Sequence, residues 1–285
     1  MSWKDKSKIL ISPLRRIFPE HNSIFRDATS YKDVMALHDK GDYKKAYDIS
    51  SIAIKRGSRL SKAADIYILL AELELLVNED PHKALDALDK AEEMGSTQIA
   101  YYYTRRAEAL WRIGEIQTAL QCFEKSVEAE PCAFYRSNLA RALAYLDDER
   151  ARSVWQEVLE EEPENSQAHS YFAFEAGKSG DRDNAIVMAK KADKLASSKE
   201  DILSVAALYH EWKEFQTAIE KYLKVIKLIK FGRQRGWVYA RIADCYLSMG
   251  QTDLARKYVK QALKYCPDDE EVKEIQRELE EKSAK

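Results

Sequence analysis

The stretch Tyr101–Pro131, YYYTRRAEALWRIGEIQTALQCFEKSVEAEP, has the pattern of two amphipathic helices joined by a short turn. Ala107 and Ala119 place one small residue in each helix, and small side chains let two helices pack at a short distance. Gly114 lies between them, where glycine adopts a turn conformation at low steric cost. Pro131 ends the second helix because proline cannot continue it. The stretch therefore predicts a helical hairpin.

The composition extends this prediction to the whole chain. Glycine (9) and proline (6) are scarce in 285 residues, which disfavours an all-β fold with many turns. Apolar residues recur at i, i+3, i+4 and i+7 in many segments, and few segments alternate with a period of two. Apolar residues make up 45% of the chain, enough to build a core. We therefore expect an all-α fold.

Two series of alanines recur along the chain at intervals of 32 to 38 residues. The second-helix series comprises Ala46, Ala84, Ala119, Ala151, Ala185, Ala218 and Ala255, and the first-helix series comprises Ala71, Ala107, Ala140, Ala173, Ala206 and Ala243. Glycines precede the second-helix alanine by five residues at Gly41, Gly114, Gly180 and Gly250, and prolines follow it by twelve at Pro131, Pro163 and Pro267. Such self-similarity is typical of a repeat protein.

A helix–turn–helix unit of about 34 residues with these small residues and a closing proline resembles the tetratricopeptide repeat (TPR). The stretch Trp237–Pro267 carries the same pattern, with Ala243, Gly250 and Ala255 in the places of the family. The resemblance implies a right-handed α-solenoid of about seven repeats over residues 27–267. Residues 268–285 then form a C-terminal capping helix, with Val272, Ile275 and Leu279 on its apolar face and Asp268 or Asp269 as its cap.

Several repeats depart from the pattern. The first repeat has Val34 where a small residue is expected. The second lacks a turn glycine, and Asn78–Pro81 predicts a slightly longer turn. The fourth shortens its turn to Asp147–Glu149, and the sixth has Lys213 in place of the glycine. The segment 231–236, FGRQRG, is predicted to be a basic connecting loop that serves as a hinge or contact insertion, or is simply solvated.

The first 26 residues lie outside the repeats and form a basic amphipathic extension. They combine apolar residues such as Trp3, Ile9 and Phe18 with Lys4 and Arg15. One interpretation is a cap that packs on the first repeat, and the other is an anchor in which residues 1–20 contact a membrane surface or a partner.

Catalytic and metal-binding patterns are missing from the sequence. No phosphate loop, dinucleotide fingerprint, H-E-x-x-H or G-x-S-x-G occurs, so we expect no enzyme activity and no cofactor. The four cysteines form no C-x-x-C pair and are expected to be small buried hydrophobes, not metal ligands. With no signal peptide and no apolar run near about 18 residues, the expected location is the cytoplasm or the cytoplasmic face of a membrane.

The resemblance also implies that the first helix of each repeat faces a concave groove. Counting from the first-helix alanine, offsets of −6, −3, −2, +1, +4 and +5 are predicted to face it. The candidate partner-binding residues are Tyr101, Arg105, Trp111, Arg112, Phe134, Asn138, Arg141, Tyr145, Tyr171, Phe174, Trp237 and Arg241. Large rings and guanidinium groups are typical anchors of protein interfaces.

These observations predict a non-catalytic scaffold or adaptor that binds a protein partner, as a peptide or helix, in the groove. The alternative is a peripheral membrane adaptor that docks through its N-terminus. RNA binding is a third hypothesis, but the net charge of −2 argues against it, and no nucleic-acid partner is expected. Self-association stays open.

Overall fold

The computed structural model describes residues 31–55, 63–229 and 232–283, and these residues contain α-helices and no β-strand. The predicted N-terminal extension, residues 1–26, lies outside the described residues. The helices are α1 (Tyr31–Asp39), α2 (Tyr43–Lys55), α3 (Ala63–Leu73), α4 (Pro81–Glu93), α5 (Ile99–Arg112), α6 (Ile116–Ala129), α7 (Ala133–Tyr145), α8 (Arg150–Glu161), α9 (Ser166–Lys178), α10 (Arg182–Leu195), α11 (Lys199–Glu211), α12 (Phe215–Leu228), α13 (Arg233–Ser248), α14 (Thr252–Tyr265) and α15 (Glu270–Ser283).

The first fourteen helices form seven hairpins, in which each odd-numbered helix packs on the next helix, from α1–α2 to α13–α14. A residue with positive φ joins the two helices of every hairpin, at Gly41, Glu79, Gly114, Asp147, Gly180, Lys213 and Gly250. At Gly114 the turn is closed by hydrogen bonds from Gly114 N to Trp111 O (3.1 Å) and from Glu115 N to Leu110 O (3.0 Å). The sixth repeat has no glycine in its turn, and Lys213 (φ 61°) adopts the left-handed conformation in its place.

The second repeat contains a feature that the sequence did not predict. A π-helical turn, Glu74–Asn78, continues α3 and inserts one extra residue into the end of the helix. The left-handed residue, Glu79, therefore follows Ala71 by eight positions, whereas Gly114 follows Ala107 by seven. The extra residue lies in the helix and not in the predicted turn, since Pro81 is already the first residue of α4 and the Asp80 side chain caps it by accepting from Lys83 N (3.0 Å).

The alanines of both series are buried where the helices of a pair meet. All thirteen are at most 2% exposed, and Val34, which replaces a small residue in α1, is 1% exposed. Small residues at these contacts bring the helix axes close together, and the larger apolar side chains then interlock around them. The alanine positions identified from the sequence are therefore the positions at which the helices pack.

The chain divides into two compact units. Unit 1 comprises residues 1–131, and its core in α1–α5 includes Ile68, Leu69, Leu88 and Tyr101. Unit 2 comprises residues 132–285, and its core includes one cluster around Ile219, Tyr222 and Val225.

The last helix, α15, packs on the seventh hairpin. Val272, Ile275 and Leu279 are buried against residues of α13 and α14. Asp269 Oδ1 accepts from the backbone nitrogens of Glu271 and Val272 at 3.1 and 3.3 Å, so Asp269 is the residue that caps the helix.

The prediction of a connecting loop over residues 231–236 was wrong for its last four residues. Helix α13 begins at Arg233, so Arg233–Gly236 are helical. Arg235 donates to the carbonyl oxygens of Ile226 and Ile229 and lies over the rings of Tyr239 and Tyr265, and the carbonyl groups at the end of α12 thereby find donors. A side chain expected in a solvated loop therefore holds two helices together.

Candidate partner-binding site

Tyr101 and Arg105 lie on α5 and contact α3 of the preceding repeat in unit 1. The Tyr101 hydroxyl donates to Glu72 Oε2 at 2.5 Å, and Arg105 Nη1 lies 3.5 Å from Glu72 Oε1 and 2.9 Å from Glu108 Oε2. Tyr101 is 3% exposed, and the guanidinium of Arg105 lies over its ring. Both predicted site residues are thus engaged by carboxylates of the chain itself.

Glu72 is the centre of this cluster, and the sequence analysis did not single it out. Burial raises its pKa, but the charge of Arg105, together with the contacts of His38 and Tyr101, outweighs burial and lowers the pKa to about 2. Glu72 follows Ala71 by one position, an offset predicted to face the groove. Applying the same offsets to the second repeat would have identified it.

His38 brings α1 into the same cluster. Its Nε2 lies 3.5 Å from Glu72 Oε1, and the side chain is buried. Burial lowers the pKa of His38, but the hydrogen bond and the charge of Glu72 outweigh this, so the net pKa lies above its ordinary value of 6.5. The cluster therefore connects the first helices of three repeats through one carboxylate.

The two other candidates of unit 1 lie at the end of α5. Trp111 is half-buried, and Arg112 Nη1 donates to the carbonyl oxygen of Leu75, in the π-helical turn, at 2.6 Å. A π-helical turn leaves carbonyl groups out of the regular helical pattern, and the guanidinium of Arg112 satisfies one of them. Arg112 thus has a structural partner.

In unit 2, α7 carries Phe134, Asn138, Arg141 and Tyr145. Asn138 is buried, and its amide donates to the carbonyl oxygen of Phe134 (3.1 Å) and accepts from Arg141 Nη2 (2.7 Å). Phe134 is half-buried and Arg141 is exposed. Tyr145, one turn after Arg141, is 77% exposed. Asn138 therefore orients a guanidinium beside an exposed phenol ring on the same helix.

Tyr171 and Phe174 lie on α9 and are half-buried. The Tyr171 ring stacks on the buried ring of Trp155 with the centroids 6.0 Å apart, and Lys178 Nζ lies 5.4 Å from the centroid of Phe174. One side of each ring thus contributes to the packing of unit 2.

Trp237 and Arg241 lie together on α13. The Arg241 guanidinium lies 5.2 Å from the ring centroid of Trp237 and forms an ion pair with Glu271 of α15. The structure thus brings Arg141 together with Asn138, and Arg241 together with Trp237. Within unit 2, Arg241 is neutralised by a carboxylate of the chain, and Arg141 bonds a neutral amide.

The described residues contain no group of three or more His, Cys, Asp or Glu side chains that could hold a metal ion. The four cysteines are free thiols, and burial raises the pKa of Cys245 to about 12. A thiol with such a pKa is unreactive at neutral pH. No helix in the described part of the chain is long and apolar enough to cross a bilayer.

The model of the family described as "Tetratricopeptide repeat" matches residues 100–131 and 238–269, the third and seventh hairpins. The chain therefore contains tetratricopeptide repeats. Its TPR hairpins give a helical solenoid, a fold that typically serves as a protein-interaction scaffold and not as a catalyst. No curated protein sequence matches the chain.

Many solved structures resemble this TPR fold, and two of them superpose on most of this chain. A chain in the crystal structure of the APC/C hetero-tetramer Cut9–Hcn1 superposes with a TM-score of 0.61 at 18% identity, over 86% of this chain and 48% of that one. A tetratricopeptide repeat protein from Parabacteroides merdae ATCC 43184 superposes with a TM-score of 0.62 at 16% identity, over 87% of this chain and 96% of that one. The chain thus spans about half the length of the first and nearly all of the second. At these identities the likeness establishes the fold.

Proposed function

We propose that this TPR protein is a non-catalytic scaffold that binds a peptide or a helix of a partner protein on the face formed by its first helices, called here the first-helix face. The proposal includes the twelve candidate residues named from the sequence. It gives the leading role to α7, and the cytoplasm or a cytoplasmic membrane face is the proposed location.

The exposure of Tyr145 is the observation that carries the proposal. A tyrosine ring that is 77% exposed contributes little to the stability of its own helix, yet such rings are frequent anchors in protein interfaces. Arg141 lies one turn before it, and the Asn138 amide holds its guanidinium at 2.7 Å without neutralising its charge. A preorientated guanidinium can grip a carboxylate, and the ring can cover an apolar side chain next to it.

Affinity capture from a lysate of the source cells, read by mass spectrometry, tests the proposal. The double variant Arg141→Glu/Tyr145→Ala is expected to lose a partner that the wild type retains. A matched control, Lys125→Glu/Met94→Ala, removes one exposed cation and one exposed apolar side chain from unit 1 and is expected to retain it. Equal recovery by all three proteins would refute binding at α7.

A further inference from the structure

The second helices of the fifth, sixth and seventh repeats, α10, α12 and α14, share a strong positive charge. Together they carry eleven basic and four acidic side chains, a net charge of +7 in a chain whose total charge is −2. The second helices of the second, third and fourth repeats, α4, α6 and α8, carry five basic and nine acidic side chains. Among the second helices of the second to seventh repeats, the positive charge is therefore concentrated on the last three, which lie in unit 2.

The contrast follows the register of the repeats. Nine positions after the second-helix alanine, the residue is Glu93, Glu128 and Glu160 in the second to fourth repeats and Lys194, Lys227 and Lys264 in the fifth to seventh. Equivalent positions of stacked repeats lie side by side along a solenoid, so the three lysines form a row in unit 2. All three are exposed.

The three helices form one surface within unit 2. Lys221 of α12 forms an ion pair with Asp193 of α10, and Tyr258 of α14 packs in the same apolar cluster as Tyr222 of α12. The buried sides of the helices carry Ala189, Val225 and Val259, so the lysine-bearing sides point away from the core. We call this surface, formed by the exposed residues of α10, α12 and α14, the basic face.

Helix stability explains only part of this pattern. A lysine in the last turn interacts favourably with the helix dipole, which accounts for the row at position nine. Lys190, Lys191, Lys224, Lys257 and Lys260 lie three to seven residues earlier, outside the last turn, where the dipole has less effect. No carboxylate of the described residues pairs with any of these five lysines. The basic face thus presents uncompensated charge to solvent.

Aliphatic side chains are interspersed with these lysines. Val187 (65% exposed) and Ile186 (38%) lie on α10, Leu228 (53%) lies at the end of α12, and Leu254 (37%) lies on α14. They account for four of the seven exposed large hydrophobic side chains among the described residues. Exposed apolar groups within a charged surface indicate a contact surface.

The residue types favour a protein over other polyanions. Nucleic-acid surfaces typically combine basic residues with exposed aromatic rings that stack on bases, and no aromatic residue of α10, α12 or α14 is exposed. Helices that bind an anionic membrane insert large aromatic and apolar residues into it. Here the exposed carboxylates of Asp183, Glu220 and Asp253 also lie on the three helices, and they would repel lipid phosphates. A protein segment can place its own cations against these carboxylates.

We infer that the basic face binds an acidic protein segment that also carries aliphatic residues, at a site separate from the first-helix face. Its lysines attract and orient the segment, and Val187, Leu228 and Leu254 contact its apolar side chains. The chain would then hold two partners at once, one on each set of helices of unit 2. This inference stands whether or not the first-helix face binds a peptide.

The test measures binding of a fluorescein-labelled peptide with three Glu-Leu-Glu-Glu-Leu-Ala-Glu heptads by fluorescence anisotropy, with a peptide in which glutamine replaces every glutamate as the control. The full chain is expected to bind the acidic peptide only, and more weakly as salt rises. In Lys194→Glu/Lys227→Glu/Lys264→Glu the Kd is expected to rise about tenfold or more, because each reversal replaces an attraction by a repulsion.

Lys40→Glu/Lys44→Glu/Lys125→Glu changes the net charge equally through exposed lysines of unit 1 and is expected to keep the wild-type Kd within about twofold. Arg141→Glu/Tyr145→Ala is also expected to bind the peptide normally, which separates this site from the first-helix face. Far-UV circular dichroism verifies that every variant is folded.

Three results would overturn the inference. The wild type could fail to bind the acidic peptide, or the two lysine triples could weaken binding equally. Vesicles containing 30% phosphatidylserine, or a 20-nucleotide single-stranded RNA, could bind the wild type more tightly than the peptide and lose binding in the Lys194/Lys227/Lys264 variant. The last result would assign the basic face to a membrane or to nucleic acid.

Discussion

The first-helix faces of the two units use the same repeat register in different ways. In unit 1, Arg105 and Tyr101 of α5 turn towards Glu72 of α3, and the carboxylate is buried between them. In unit 2, the one hydrogen-bond partner of Arg141 among the described residues is the amide of Asn138 on the same helix, α7. Tyr145 beside it is 77% exposed. The candidate residues Arg105 and Tyr101 of unit 1 thus hold repeats together, whereas Arg141 and Tyr145 of α7 are exposed to solvent.

The difference shows that a position in a repeat does not determine the role of its residue. Arg105 and Asn138 occupy the same offset from the first-helix alanine, as do Glu108 and Arg141. In unit 1 a buried acid in the preceding repeat recruits the arginine, because a buried carboxylate must be paired. The second repeat supplies Glu72, and this one residue engages Arg105 and Tyr101 in an internal contact.

The largest difference in stability between the two units is expected when the charge of Arg105 in unit 1 or of Arg141 in unit 2 is reversed. Arg105→Glu places a third carboxylate beside Glu72 and Glu108 in a site of which only 10–12% of the Glu72 and Arg105 side chains is exposed, and it is expected to destabilise unit 1 by about 3–5 kcal/mol. Arg141→Glu, at an exposed site, is expected to cost less than about 1 kcal/mol. Urea unfolding followed by far-UV circular dichroism measures both.

Equal shifts of the unfolding midpoint in these two variants would contradict the distinction between the units. Arg105→Lys supplies a further control, because it keeps the charge but removes the guanidinium, whose Nη1 contacts both Glu72 and Glu108. We expect an intermediate loss of stability from it.

The next largest effect is expected in the pH dependence of the stability of unit 1. The pKa of Glu72 is lowered, so its contribution is present above its ordinary value of 4.5 and is lost as the pH falls towards 2. The pKa of His38 is raised, so its contribution is present below 6.5 and is lost as the pH rises through the folded-state pKa. The cluster therefore stabilises unit 1 most between pH 4.5 and 6.5.

Unfolding midpoints of the wild type and His38→Gln, measured from pH 4.5 to pH 8.5, test this. The wild type is expected to exceed the variant at pH 5.5, and the gap is expected to narrow above pH 6.5. A gap that widens with pH would reverse the sign of the His38 contribution and contradict the pairing with Glu72.

The next effect on stability is expected in unit 2, where helices α13 and α14 pack closely at Gly236. A Cβ atom on Gly236 of α13 would lie 2.5 Å from Cys266 Sγ, 2.9 Å from Tyr265 Cβ and 3.1 Å from Ala262 O. Gly236→Ala is therefore expected to overpack the α13–α14 contact and to cost about 1–3 kcal/mol, although alanine is the better helix former. A rise in thermal midpoint would show that the contact yields easily.

The smallest effect on stability is expected at Tyr145. Tyr145→Ala is expected to change the free energy of unfolding by less than about 0.5 kcal/mol, whereas Tyr135→Ala in the same helix removes a ring that is 2% exposed and is expected to cost about 3–5 kcal/mol. A large loss at Tyr145 would mean that the ring serves packing and not recognition.

The sequence predicted the fold well because the repeats rest on local signals. The alanine series, the turn glycines and the closing prolines each report a contact within one hairpin, and helical periodicity supplies the rest. The capping helix was predicted in the same way from Val272, Ile275 and Leu279, which are buried. The exceptions are the π-helical turn at Glu74–Asn78 and the helical start of α13 at Arg233, where contacts with other helices determine the conformation.

The candidate site was less predictable, because the state of several of its residues depends on partners about one repeat away. Arg241 is paired by Glu271, 30 residues later, and Tyr101 by Glu72, 29 residues earlier. A helical wheel places a side chain on a face but does not show which neighbour contacts it. The exposure of Tyr145 follows from neighbouring helices and not from the sequence of α7 alone.

Photo-crosslinking tests the central proposal, that α7 of unit 2 binds a partner, most directly. Benzoylphenylalanine replaces Tyr145 in one protein and Lys44, an exposed residue of α2 in unit 1, in another, and both are irradiated in a lysate of the source cells. Position 145 is expected to crosslink to a discrete protein, position 44 is not, and Arg141→Glu is expected to remove the crosslink. A crosslink at position 145 that survives Arg141→Glu, or none at all, would contradict the proposal.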